Sequence, residues 1–263
     1  MFFDDFKAIY RSAWRFAFAC PILFAIPVLV ELGQHVIELQ ADMYSDPAGA
    51  IAAEADPLRL QFGFVKTLAI TLPTYWFIRY ILFGQDAARA ARAEMPALGL
   101  WAVTFALFGV HAWLSLFGPS LVGLLGLGTD AAPWLSGAVF VLSTVLSIYL
   151  MAWMSAWAVG NSSIGPLRSF SVMQGSFWYA LGLFVAGLLP LMIPHYGLAI
   201  AAVLWLPGWL DWVVMLLDSV LVGFLALTMA GATAHGAMRA AGRKGIALVP
   251  STGDEAQRFV AEF

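Results

Sequence analysis

Between Met95 and Leu210 only two residues of the types Asp, Glu, Lys and Arg occur, Asp130 and Arg168. They divide the segment into three uncharged runs of about 35 to 42 residues, each longer than the roughly 20 that cross a bilayer core as helix. Water cannot be the solvent for so much apolar helix, so the chain reads as an integral membrane protein. Composition points the same way: 62% of residues are apolar and 11% charged, against about 45 to 50% and about 25% in soluble domains.

The spans are marked by apolar runs and by Gly and Pro at their ends. They fall near residues 14–34, 64–84, 98–118, 133–159, 176–206 and 211–234. The fold expected is an all-α polytopic transmembrane helix bundle of about six spans. A single transmembrane domain over residues 1–240 is followed by a short tail at 241–263. The fifth run is too long for one untilted crossing and holds Pro190 and Pro194, which predicts a break followed by a short interfacial piece through Ile200 to Trp205.

Basic residues set the orientation. With the N-terminus inside, Lys7, Arg11, Arg15, Arg79, Arg89, Arg92, Arg168, Arg239, Arg243, Lys244 and Arg258 gather at the cytoplasmic face, and only Arg59 and Lys66 lie outside. Both termini are then cytoplasmic. Arg79, near the inner end of the second span, is expected to snorkel.

Trp14, Trp101 and Trp178 stand near the inner ends of the outward-going helices, and Gly84, Gly160 and Gly231 near the ends of the inward-going ones. Interfacial preference and helix termination explain both sets; a triplicated hairpin is the alternative. Trp205, Trp209 and Trp212 complete an aromatic belt at the outer side.

Asp218 is the most unusual residue, with Val213, Val214, Met215, Leu216, Leu217 and Val220 around it on the sixth span. An ionised acid at the centre of a membrane helix costs roughly 2.5 to 3.5 kcal/mol, so it faces a partner, a bundle interior or water. His111 lies at a similar depth on the third span, so the two could meet. Such a pair would relay a proton or hold a cation; alternatively Asp218 only fixes helix packing through a neighbouring hydroxyl.

A second constellation, Glu31, His35, Glu38 and Asp42, follows the spacing i, i+4, i+7 and i+11, which aligns the four on one helical face. Carboxylate and imidazole at one-turn spacing suit a divalent metal, but the sequence shows no ligand from a second element, so a solvated acidic stripe on an outer extension is the reading preferred.

Other chemistry is excluded more simply. The net charge of −3 leaves no footprint for nucleic acid, and Cys20, the single cysteine, forms neither an internal disulfide nor a cysteine-based metal cluster. The chain has no serine–histidine–acid set, HExxH helix or phosphate loop. No cofactor is assigned.

Pro166-Leu167-Arg168-Ser169-Phe170, followed by Gly175-Ser176-Phe177-Trp178 and Leu181-Gly182-Leu183, resembles the YciC-like group of uncharacterised bacterial inner-membrane proteins, over about thirty residues and more loosely over Tyr10 to Leu29. The resemblance implies a six-helix inner-membrane fold without established catalytic residues. The expected role is that of an accessory or scaffold subunit, whose partners are the lipid bilayer and other membrane proteins. A small-solute or ion transporter using the Asp/His pair is the alternative, and a lipid-modifying enzyme the third reading.

Overall fold

The computed structural model describes residues 2–250; the expected tail beyond Pro250, with Arg258, lies outside the described residues. The described chain is helical throughout, with no strand. In order it forms α1 (Phe2–Ala19), α2 (Pro21–Gln40), α3 (Pro47–Glu54), α4 (Pro57–Thr71), α5 (Thr74–Leu82) and α6 (Ala87–Ala91). There follow α7 (Met95–Phe117), α8 (Leu121–Leu124), α9 (Ala132–Tyr149), α10 (Met151–Ala158), α11 (Pro166–Met173), α12 (Phe177–Leu204) and α13 (Asp211–Gly242). Five stretches are long and apolar enough to cross a membrane: α2, α7, α9, α12 and the run Gly208–Gly242. The chain is thus an all-α membrane helix bundle.

The remaining expected span, 64–84, is present as two helices. Pro73 lacks an N–H and separates α4 from α5. Threonine hydroxyls take up carbonyls around the break: Thr67 donates to Gly63 O, Thr71 to Thr67 O and Thr74 to Thr71 O. The first expected span is likewise divided, at Cys20, because Pro21 opens α2 as a new helix.

The helices gather into two compact units. One contains the chain up to Arg92 together with Gly182–His235; the other contains Ala93–Leu181 and the chain from Gly236 on.

In the first unit α1 buries the stripe Ile9, Ala13, Phe16 and Ala17 and packs on α2 and α5. Asp46 and Asp56 cap α3 and α4 by accepting from Gly49 N and Arg59 N. The predicted break in α12 does not occur. Pro190 cannot donate to the carbonyl four residues back, Ala186 O, but the Tyr10 hydroxyl donates to that oxygen at 2.9 Å. The orphan acceptor is satisfied from a neighbouring helix, and α12 runs unbroken to Leu204.

Two glycines let α13 approach closely. A Cβ at Gly187 of α12 would lie 2.8 Å from Thr228 O, and one at Gly223 of α13 would lie 2.5 Å from Val28 Cγ2 of α2. The Thr228 hydroxyl donates to Gly187 O at 2.7 Å across the first contact. Small residues at helix crossings are how membrane helices reach contact distance. Gly231, expected at a helix end, sits inside α13 against Ile9. Arg79 does not snorkel: it is fully buried, donating to Ala90 O at 3.1 Å and Arg92 O at 3.3 Å, with its guanidinium over the Tyr75 and Phe83 rings. The end of α6 supplies the acceptors that water would otherwise have supplied.

In the second unit the expected 133–159 span is divided at Leu150 into α9 and α10. Ser169 of α11 splices the junction, accepting from Trp153 N at 3.0 Å and donating to Tyr149 O at 2.7 Å. Tyr149 stacks on Phe170 and Phe177. Gly160 ends α10 with φ of 82°, the left-handed conformation that suits glycine. Asn161, beside it, donates to Ala247 O and Leu248 O.

Replacing Gly187 with Val is expected to destabilise the protein by about 1 to 3 kcal/mol through overpacking against Thr228. Thermal unfolding in detergent measures this; an unchanged melting temperature would discard the close approach.

Candidate functional site: a buried histidine and carboxylate cluster

The polar face of α2 carries Glu31, Gln34, His35 and Glu38, spaced so that all four share one side of the helix. It does not face solvent. Glu31, His35 and Glu38 are 1, 5 and 4% exposed, and Asp218 of α13 is 3% exposed. The preferred reading of a solvated acidic stripe is therefore corrected for these three residues: α4, α12 and α13 cover the face.

From α4 come the counter-charges. Arg59 Nε donates to Glu38 Oε1 at 2.9 Å, and Lys66 Nζ donates to Glu31 Oε1 at 2.9 Å. The pairs run 38 with 59 and 31 with 66, seven residues apart on both helices, which is the register of antiparallel neighbours two turns apart.

Asp218 joins two imidazoles. Its Oδ2 lies 3.0 Å from His35 Nε2, and its Oδ1 lies 2.7 Å from His195 Nδ1, on α12. At the other side of the His35 ring, Nδ1 is 3.0 Å from both Glu38 Oε2 and the Tyr44 hydroxyl. Tyr44 itself donates to Glu38 Oε2 at 2.6 Å, and Gln34 donates to Glu38 Oε1 at 3.0 Å. A carboxylate only accepts, so a ring held between Glu38 and Asp218 donates at both ends as an imidazolium. Three carboxylates, Glu31, Glu38 and Asp218, then stand against Arg59, Lys66 and one imidazolium, which balances the charge. Outside the spans, burial and the nearby Glu38 carboxylate push the Tyr44 phenol well above its ordinary pKa, so it stays a donor.

Glu31 Oε2 and Gln34 Oε1 are buried without a hydrogen-bond partner. Glu31, His35 and Asp218 each offer one ligand atom within 4.8 Å of the others. A cavity of about 590 Å³ reaches the cluster's edge: Tyr44 lines it together with Leu39, Trp205 and Asp211, and Asp211 Oδ1 is a further buried oxygen without a partner.

Of the residues singled out in the sequence, Glu31, His35, Glu38 and Asp218 converge. Asp42 does not join them: it is exposed, in a left-handed turn with φ of 56° just past α2. His111, whose depth along its span matches that of Asp218, belongs to the other unit, where it is exposed beside a cavity shared with Ser115 and Ser136. Both Asp218 oxygens are engaged by His35 and His195 instead. Trp14, Trp178, Trp205, Trp209 and Trp212 are exposed, whereas Trp101 is buried.

Sequence reasoning missed His195, Tyr44 and Gln34. The signal for His195 was available, since it is a titratable residue inside the uncharged run from Ser169 to Leu210. Tyr44 carried none, because its role depends on the chain turning back after α2.

No family model, curated protein or solved structure matches this chain.

Glu38→Gln removes the charge opposite Arg59 and is expected to cost about 3 kcal/mol, the lower end for a broken buried pair, because the Arg59 side chain is 21% exposed and can turn to water. Tyr44→Phe removes one hydrogen bond and should cost about 1 kcal/mol. Unfolding in detergent micelles compares them; losses near zero for both would mean that the cluster is not formed.

Proposed function

We propose that this is a multi-pass bacterial inner-membrane protein, both termini in the cytoplasm, that translocates a cation through the histidine and carboxylate cluster. The observation that carries the reading is Asp218, an acid inside an apolar helix, held between His35 and His195. Ionisable groups placed among membrane helices usually mark ion or substrate pathways. Unpartnered oxygens on Glu31 and Asp211, with a cavity lined by Tyr44 and Asp211, support a route for a positive charge. Counting α2, the α4–α5 pair, α7, α9–α10, α12 and α13 as crossings gives six, and the distribution of arginine and lysine then sets both ends inside. The resemblance of the Pro166 to Leu183 segment to YciC-like proteins favours the bacterial inner membrane.

A second reading, an accessory or scaffold subunit, is favoured by α7 and α9. Only 17% and 6% of their span residues are buried within the chain, leaving broad apolar faces for lipid or for a partner's helices.

Asp218→Asn separates the two. In proteoliposomes the wild-type chain should pass cations down an imposed gradient, and the Asn variant, with its melting and elution profile preserved, should be at least tenfold slower. Equal flux in the two proteins, or none in the wild type, would sink the translocation reading.

A further inference from the structure

We propose that Glu31, His35 and Asp218 form a binding site for a divalent transition-metal cation of the zinc or manganese class, with Lys66 as the counter-cation that the metal displaces. The proposal rests on the reading of the cluster as a cation site and names the ion.

The ligand set is one imidazole nitrogen and two carboxylate oxygens, from α2 and α13. Glu31 and His35 are one helical turn apart and so present their ligand atoms on the same face; Asp218 closes the site from a second element. Imidazole with carboxylate suits zinc, manganese and their neighbours, whereas a calcium or magnesium site would be all oxygen and a copper(I) site would use sulfur. The three ligand atoms lie within 4.8 Å of one another, and bonds of about 2.0 to 2.2 Å would draw them together by about 1 Å, within reach of a glutamate rotamer change.

The unpartnered oxygen is an independent pointer. Glu31 Oε1 is taken by Lys66, but Oε2 is buried with nothing to accept from. A buried carboxylate oxygen left without a donor is costly; a metal ion held by both oxygens of Glu31 would satisfy Oε2 and compete with Lys66 for Oε1.

The surroundings have the arrangement that orients metal ligands. A ligating histidine usually has its other nitrogen held by a carboxylate or similar acceptor, and ligating carboxylates are hydrogen-bonded in turn. His35 has Nε2 toward Asp218 and Glu31, at 3.0 and 3.7 Å, while Nδ1 is held by Glu38 and Tyr44. Asp218 has Oδ1 held by His195 Nδ1 at 2.7 Å, which leaves Oδ2 for an ion.

Charge also balances on exchange. The metal replaces two positive charges, the Lys66 ammonium and the proton on His35 Nε2, which passes to water. The Lys66 side chain is 23% exposed, so it has room to swing away from Glu31. Glu31 and Asp218 then neutralise the divalent ion, and Arg59 continues to neutralise Glu38.

The test uses the full-length protein purified in detergent, stripped with a chelator and dialysed against zinc or manganese, with bound metal counted by mass spectrometry. The expected result is one ion per chain. Glu31→Gln, His35→Gln and Asp218→Asn should each weaken binding at least tenfold, His195→Ala about tenfold as an orienting residue, and Lys66→Met should tighten it. Cobalt added to the wild-type chain supplies a measurement that needs no variant: d–d bands of a nitrogen and oxygen environment should appear, and zinc should erase them. Wild-type protein that binds no metal, binding indifferent to all three ligand substitutions, weaker binding by Lys66→Met, or cobalt spectra like those of the aqueous ion would each overturn the proposal. Asp218-dependent flux of another cation without metal binding overturns the metal assignment alone; metal held by these residues without flux overturns translocation alone.

Discussion

An ionised acid on a membrane helix organises the first unit. Placing Asp218 on α13 costs roughly 2.5 to 3.5 kcal/mol if it faces hydrocarbon, a large fraction of the stability of most folded proteins. Two hydrogen bonds to imidazoles, each worth roughly 1.5 to 3 kcal/mol where a charge takes part, offset that cost. They do so only if α2 and α12 lie within contact distance of α13. The carboxylate therefore demands close packing, and Gly187 and Gly223 supply it by removing the side chains that would hold the helices apart.

The same logic extends to α2. Glu31 and Glu38 are too far from each other to share one counter-ion, being seven residues apart, or about 10 Å along the helix. Arg59 and Lys66 repeat that separation on α4. One ladder of opposite charges thus fixes both the direction and the register of α4 against α2. Both cation side chains keep a fifth or more of their surface exposed, so the ladder stands at an open edge of α4, and its stems cover apolar surface on the way.

How much of this was legible depended on whether the cause was local. The uncharged runs gave the membrane class and the approximate spans, because bilayer thickness acts on each segment by itself. The one-face spacing of Glu31, His35 and Glu38 was readable for the same reason, and so was the strain of placing Asp218 in an apolar helix. What covers that face was not readable, since α4, α12 and α13 return to it from distant parts of the chain. Matching depth on two helices left a meeting of Asp218 and His111 open, because depth does not say which helices are neighbours. The break expected in α12 failed likewise: proline removes a donor locally, but Tyr10, 176 residues away, supplies another. Arg79 illustrates the converse, a charge assumed to seek water that finds the carbonyls of α6.

The two units solve the problem of polar groups in an apolar setting differently. In the second, Ser169 splices two helices and Asn161 ties down Ala247 and Leu248, all by neutral hydrogen bonds. Such bonds stabilise a helix junction whether or not anything else binds. The first unit instead concentrates ionised side chains around Asp218 and along the face of α2 that meets α4. A cluster kept only for stability would often gain from replacing charges with apolar groups of similar volume. Retaining buried charge at that cost is the observation on which the proposed cation site rests.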